Sequence, residues 1–136
     1  MTQEYVEISK RKYCVEKKRC CCDKCGNQFE EIIPLGFDLV CFESNMGAKV
    51  FLPTYGKNGY LELLKKIVPE WDEKNEISVG IAKTFEKRLN LYTPYRVEFY
   101  NRTKCPQCGS DRVFVEERIP IENYPIKWIT INSCIL

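Results

Sequence analysis

Alternating apolar and polar positions predict β-strands in two blocks, one near each end of the chain. In the first block, residues 11–20 and the apolar positions that lead to Pro34 are typical of a hairpin. In the second block, residues 95–102 and 112–119 both alternate with a period of two, which is typical of paired strands. We therefore expect residues 10–34 and 95–120 to contain one β-hairpin each.

The segment between these blocks, residues 35–94, begins with a strand pattern. Short apolar runs at 37–42 and 49–52 flank Ser44-Asn45-Met46-Gly47, a sequence that favours a turn. Two short strands joined by this turn are expected.

Two amphipathic helices are expected in the second half of the same segment. Apolar residues recur at helical spacing after Asn58, a candidate N-cap, until Pro69 ends the pattern. The pattern resumes after a second candidate N-cap, Ser78, and Pro94 prevents its continuation. Residues 35–94 are therefore interpreted as an inserted α/β lobe.

The chain of 136 residues, 44% of them hydrophobic, fits one domain with a core of its own, residues 1–136. Its tail, residues 121–136, is rich in apolar side chains and is expected to cover the core as a C-terminal strand. The predicted fold class is α+β.

The composition narrows the possible chemistry. The chain contains no His, which excludes His-based acid–base catalysis, Cys–His nucleophile pairs and zinc sites that need imidazole. No convincing nucleophile–base pair is visible among the other residues. We therefore expect a protein that is not an enzyme and has no small-molecule substrate.

The N-terminal residues are polar and charged, without the apolar region of a signal peptide, and no run of about 18 apolar residues predicts a membrane span. A cytoplasmic protein without membrane association is expected. In that compartment most cysteines are thiols or metal ligands rather than disulfides.

Two short cysteine motifs resemble each other across the chain. Residues 22–26 read Cys-Asp-Lys-Cys-Gly and residues 105–109 read Cys-Pro-Gln-Cys-Gly, and the 79 residues from Gly26 to Lys104 separate Cys25 from Cys105. Two such turns that face each other would supply four sulfurs in a tetrahedral arrangement, which suits one structural Zn²⁺. The predicted ligands are Cys22, Cys25, Cys105 and Cys108.

Several alternatives to this site remain open. The same four sulfurs accept iron, and a redox dithiol or a disulfide pair would use the same motifs. Cys21 could replace Cys22 as a ligand with one more spacer residue. The metal identity and this ligand are therefore not decided by spacing alone.

The other cysteines have simpler interpretations. Cys14, Cys41 and Cys134 lie in apolar, strand-like surroundings, where a thiol packs as a small hydrophobic group. Cys20 and Cys21 follow Lys17-Lys18-Arg19, whose positive charge could lower a thiol pKa and raise its reactivity.

The two motifs and their flanking strands resemble the paired knuckles of zinc-ribbon and rubredoxin-like proteins, over about fifty residues in two separated blocks. The double motif with a long insertion also resembles the double-CXXCG immunity proteins of bacterial contact-dependent toxin systems. These resemblances imply a metal knuckle and, for the second family, a protein partner such as a toxin.

Charge placement suggests two kinds of partner. Residues 10–24 contain seven basic and two acidic residues, and with Tyr13, Phe29 and Tyr100 they could bind nucleic acid. A solvated basic hairpin explains the same charges, and protein binding is the preferred function. Its candidate anchors are the aromatic residues of the lobe and an acidic cluster: Tyr55, Tyr60, Tyr92, and Trp71 with Glu70, Asp72, Glu73 and Glu76.

Overall fold

The computed structural model describes residues 5–9 and 11–132, which form an α+β fold with two antiparallel three-stranded sheets and two helices. The elements in chain order are β1 (Tyr13–Cys22), β2 (Gln28–Pro34), β3 (Leu39–Ser44), β4 (Lys49–Pro53), α1 (Tyr60–Ile67), α2 (Val79–Leu89), β5 (Val97–Phe99) and β6 (Val113–Tyr124). The predicted fold class is confirmed at this level.

The first sheet has the strand order β2-β1-β6, and β1 is its central strand. β1 and β2 pair antiparallel from Val15 opposite Pro34 to Cys21 opposite Gln28, with the first cysteine motif between them. The predicted first hairpin is therefore confirmed.

The predicted second hairpin, residues 95–102 with 112–119, is not formed. β5 pairs with β3 in a second sheet of order β4-β3-β5, whereas β6 pairs with β1. Phe99 stacks on Phe42 with ring centroids 4.7 Å apart, and Val97 is fully buried in the same core. Burial of these two side chains in the lobe explains why β5 leaves the second cysteine motif.

The strands and turn predicted for residues 37–52 form as β3, a turn and β4, but β3 begins only at Leu39. The carbonyl groups of Phe37 and Asp38 instead accept hydrogen bonds from Thr54. Phe37 therefore lies in a loop, where its side chain is 91% exposed.

Both predicted helices form. The Ser78 hydroxyl accepts a hydrogen bond from the backbone N–H of Ile81, as expected of an N-cap. The cap of α1 is Gly59 and not Asn58. Asn58 has a left-handed φ of 61° and its side-chain amide donates to the carbonyl of Glu7.

The core of the lobe contains apolar side chains from both helices and from β3, β4 and β5, joined by residues of the tail. A smaller cluster lies between the two sheets and contains Tyr13, Val15, Leu39, Cys41 and Phe51. The first sheet is thereby packed onto the lobe.

The tail predicted as one strand over residues 121–136 divides into two parts. Residues 121–124 end β6, and the following segment makes single bridges from Trp128 to Phe51 and from Asn132 to Tyr5. Ile129 and Ile131 are buried in the lobe core, so this segment covers the core without forming a further strand. Residues 133–136 lie outside the described part.

Neither helix in the described ranges is long and apolar enough to cross a membrane.

Candidate metal centre

The two cysteine motifs fold into turns with the same backbone geometry, and we call residues 22–26 the first knuckle and residues 105–109 the second. The N–H of Gly26 donates to the carbonyl of Cys22 at 2.9 Å, and the N–H of Gly109 donates to that of Cys105 at 2.8 Å. Both glycines have φ of 75°, a conformation that disfavours other residues.

β1 and β6 bring the knuckles together. Cys22, the last residue of β1, lies opposite Val113, the first residue of β6. The N–H of Asp23 donates to the carbonyl of Arg112 at 2.8 Å, which extends this pairing into the first knuckle. The site therefore depends on strands that are distant in sequence.

All four predicted ligands meet at this place. Their Sγ atoms lie within 4.8 Å of one another. Cys22 and Cys108 are 3.5 Å apart, as are Cys25 and Cys105. Zn–S bonds of about 2.3 Å in a tetrahedron separate the sulfurs by about 3.8 Å, so the group can hold a metal ion after small adjustments.

The backbone favours thiolates at the two buried positions. The N–H of Cys25 lowers the pKa of Cys22. Although burial opposes ionisation of Cys105, the N–H groups of Cys108 and Gln107 lower its pKa to about 6. Cys25 behaves differently: the N–H of Asn27 favours its thiolate, but desolvation and the neighbouring sulfurs raise its pKa to about 12. A cation would offset this repulsion between sulfurs.

Cys21 does not belong to the group. Its Sγ lies 3.9 Å from the carbonyl oxygens of Cys22 and Gly26, because successive side chains of a strand face opposite sides. The structure therefore brings together the set with two-residue spacing and leaves out the alternative with Cys21.

The basic segment does not activate Cys20 and Cys21. Burial raises the pKa of Cys20 despite nearby Lys18, and desolvation together with Glu116 raises the pKa of Cys21.

Cys41 is buried as predicted, whereas Cys14 is exposed because Tyr13 and Val15 occupy the core side of β1. Cys134 lies outside the described residues.

A buried carboxylate, Glu31 on β2, links both sheets to residues 100–103, the segment that precedes the second knuckle. Its oxygens lie 3.4 Å from Lys18 Nζ and 2.9 Å from Lys49 Nζ, and they accept hydrogen bonds from the hydroxyls of Tyr100 and Thr103. Burial opposes its ionisation, but these hydrogen bonds and Lys49 hold the pKa of Glu31 below its ordinary value. Sequence patterns gave no indication of this cluster, because its members come from separate segments.

The basic charges of β1 are largely paired within the sheet. Lys17 lies 3.0 Å from Glu30, Arg19 lies 3.2 Å from Glu117, and Lys18 pairs with Glu31. Of the aromatic residues predicted near this face, Tyr13 is buried and packs edge-on against Trp128. The hydroxyl of Tyr100 is engaged by Glu31, and Phe29 is half-buried.

The acidic cluster around Trp71 is partly neutralised. Arg88 makes a two-pronged contact with Glu70 at 2.7 and 2.8 Å, and Lys65 pairs with Glu73. Trp71 is half-buried, packs against the lobe core and has its indole N–H inside the protein. The cluster therefore presents less free negative charge than its sequence suggested.

Of the remaining predicted anchors, Tyr60 is buried against Phe85 and Tyr92 packs partly on the core, whereas Tyr55 is 63% exposed. The structure adds Phe37 and Leu35, which follow β2 and were not predicted as exposed anchors. Leu35 directly follows Pro34, the residue that ends β2, and this proline is the sequence signal that could have indicated a loop here.

Comparison of this chain with protein-family models, with curated proteins and with solved structures finds no match. The assignment of a function therefore depends on the metal centre and the surfaces described above.

Proposed function

We propose that this chain is a cytoplasmic, zinc-stabilised protein that acts without catalysis by binding another protein, as an immunity, inhibitor or adaptor protein does. The observation that carries the proposal is the exposure of Leu35, Phe37 and Tyr55 on two loops that hydrogen bonds of Thr54 join, which we call the aromatic loops. Exposed aromatic side chains of this kind are typical anchors of protein interfaces.

Backbone contacts hold the aromatic loops in place. The Thr54 hydroxyl donates to the carbonyl of Phe37 at 2.5 Å, and the N–H of Thr54 donates to that of Asp38 at 2.9 Å. Gly59 packs so closely that a Cβ there would lie 2.7 Å from the carbonyl oxygen of Tyr55. Because these contacts already restrain the loops before a partner binds, less conformational entropy is lost on binding.

Charged residues beside the aromatic loops indicate the chemistry of the partner. Arg11, Lys57 and Asp38 line a cleft of about 320 Å³ next to Tyr55. The two cations favour a partner whose apolar pocket has an acidic rim. A toxin with such a pocket would be one such partner, in keeping with the resemblance to double-CXXCG proteins.

The four cysteines fit a structural role for zinc. Four sulfurs complete the coordination of Zn²⁺ and leave no position for a substrate, so the metal would stabilise the scaffold that presents the aromatic loops. Elemental analysis of purified protein should find about one zinc per chain. Iron in its place would assign a rubredoxin-like centre instead.

The binding proposal is tested with the Phe37→Ala/Tyr55→Ala double variant. Met46→Ala is the matched control, because Met46 is equally exposed but lies at the other end of β3. A protein captured by both the wild type and the Met46→Ala control is purified and mixed with each variant. Its affinity for the double variant should be at least about tenfold lower than its affinity for the wild type. Equal affinity for the double variant would contradict the proposal.

Nucleic acid is the competing partner and is tested in a separate experiment. Its binding should be measured by fluorescence anisotropy with single-stranded and double-stranded oligonucleotides over a series of salt concentrations. The ion pairs of Lys17, Lys18 and Arg19 lead us to expect only weak association. Tight binding that falls steeply with salt would favour a nucleic-acid-binding zinc ribbon.

A further inference from the structure

β6 is the longest strand of the described chain and lies at an edge. In the part of the chain that the structure describes, the sheet order β2-β1-β6 gives it β1 on one side and no strand on the other. Most of its residues are exposed, and Phe114 is 58% exposed. An edge of this kind carries backbone N–H and C=O groups that favour pairing with another strand.

The residues around Glu117 have complementary partners at equal distances on either side. One residue away, Glu116 corresponds to Arg118, and five residues away, Arg112 corresponds to Glu122. The three intermediate pairs are apolar: Val115 with Ile119, Phe114 with Pro120, and Val113 with Ile121.

In two identical antiparallel strands related by a two-fold axis, residues at equal distances from the axis lie opposite each other. We propose that β6 pairs in this way with β6 of a second copy of the chain, about an axis at Glu117. Each Glu116 then faces Arg118 of the second copy, and each Arg112 faces Glu122 of the second copy. Cross-strand pairs of opposite charge and apolar pairs both stabilise such a ladder.

The like charges at the axis have partners within each copy. Glu117 faces its own equivalent, but Arg19 Nη1 lies 3.2 Å from its carboxylate and supplies a counter-charge. Arg118, which contacts Glu16 of its own chain at 2.5 Å, lies between that carboxylate and Glu116 of the second copy.

Neighbouring registers are less favourable. Shifting the axis by half a residue towards the second knuckle places Glu116 opposite Glu117. Shifting it the other way places Glu117 opposite Arg118, but it also places the charged Glu116 and Glu122 opposite the apolar Ile119 and Val113. Glu116 is also an extra residue relative to β1, and Pro120 has no N–H, so the backbone ladder is interrupted at these positions for any added strand, and the side-chain pairs decide which strand is favoured. Side-chain complementarity therefore selects a second copy over other strands.

The experiment uses two full-length, metal-loaded variants, Arg112→Glu and Glu122→Arg. Both side chains are exposed, so the fold should be unaffected, and circular dichroism and metal content verify this. Each variant alone places like charges opposite each other twice, and sedimentation velocity should show dimerisation at least about tenfold weaker than in the wild type. An equimolar mixture restores both opposite-charge pairs in a heterodimer and should dimerise like the wild type.

Lys83→Glu, an exposed charge reversal on α2, is the control and should dimerise like the wild type. A wild-type protein that stays monomeric throughout the concentration series would overturn the proposal. So would variants that dimerise normally, or a mixture that behaves as the sum of its two components.

Discussion

Cys21 and Cys22 are adjacent in sequence but have different chemical surroundings. Cys22 is buried within the sulfur group, while Cys21 faces the other side of β1. The matching spacing of the two motifs favoured the four cysteines that meet but left Cys21 open as a ligand, because a knuckle is a local structure set by two cysteines and a glycine with positive φ.

Replacement of either cysteine by Ser tests this difference. Cys22→Ser should lose the bound metal and unfold at lower temperature, because three sulfurs and a hydroxyl bind zinc poorly. Cys21→Ser is the matched control and should keep about one metal per chain. Metal analysis and thermal unfolding measure both effects, and metal loss in Cys21→Ser alone would reverse the assignment.

Glu31 could not be identified from the sequence, where it stands beside Glu30 in an ordinary strand pattern. The structure buries Glu31 between two lysines and leaves the side chain of Glu30 51% exposed. Partners of a buried charge come from distant segments, and neither composition nor periodicity records them.

Glu31→Gln should destabilise the protein by about 3 kcal/mol, because Lys18 and Lys49 would lose the carboxylate that offsets their charge. Glu30→Gln should cost less than about 1 kcal/mol, since its ion pairs are exposed. Chemical denaturation at pH 7 measures both, and equal losses would show that the Glu31 cluster contributes no more than a surface pair.

Comparison of the wild type with Glu31→Gln also predicts how the free energy of unfolding depends on pH. The pKa of Glu31 is below its ordinary value of 4.5 in the folded protein, so its contribution is complete above that pH and is lost as the pH falls further. The stability difference between wild type and Glu31→Gln should be constant from pH 7 to about 5.5 and shrink below about 4.5. A difference that grows on acidification would contradict this sign. The ionisable groups near Glu31 are Lys18, Lys49, Tyr100, Cys20 and Cys41.

At the scale of elements, β5 has a strand on one side and a helix on the other. Asn90 of α2's C-cap exchanges hydrogen bonds with the N–H and C=O of Val97, and Glu86 accepts one from the N–H of Phe99. These two side chains, one helical turn apart, satisfy the backbone edge that a further strand would otherwise occupy.

Asn90→Ala should lower the free energy of unfolding by about 1–2 kcal/mol, because it leaves backbone groups of β5 without partners. Lys87→Ala, an exposed change on the same helix, is the control and should have an effect within about 0.5 kcal/mol. Denaturant unfolding followed by circular dichroism compares them. An equal effect of the two changes would mean that water replaces Asn90 without loss.

The positions of helices and strands were more predictable from the sequence than the pairing of the strands. The patterns located all six strands of the described chain and both helices, because periodicity and capping residues are local. Strand pairing is not local. The pattern predicted β5 and β6 as one hairpin, but β5 pairs with β3, where Phe99 stacks on Phe42. The cap of α1 was misplaced by one residue because Asn58 adopts a left-handed conformation that Asn tolerates.

For the whole molecule, the sulfur group connects the end of β1 to the segment before β6, with the lobe inserted between them. A metal there would close a loop of about 80 residues, and its removal should lower the melting temperature by about 10 °C or more. Trp71 and Trp128 both contact the lobe core, so their fluorescence reports on the lobe and not on the knuckles.

The chelator experiment therefore compares fluorescence melts before and after metal removal. Cys108→Ser is the control, because a chain without a complete site should show no further decrease. A fluorescence melt that chelation leaves unchanged would restrict the metal's influence to the knuckles.

The distance between the knuckles also has a consequence during synthesis. Cys25 leaves the ribosome 80 residues before Cys105, its neighbour in the site. At about 5–20 residues per second, the first two thiols wait roughly 4–16 seconds for the second pair. During that interval the nascent chain exposes an incomplete site to cellular metals and oxidants. Capture of a metal by all four sulfurs would consequently be a late event in biogenesis, and its yield would depend on how well the cell protects the first two thiols.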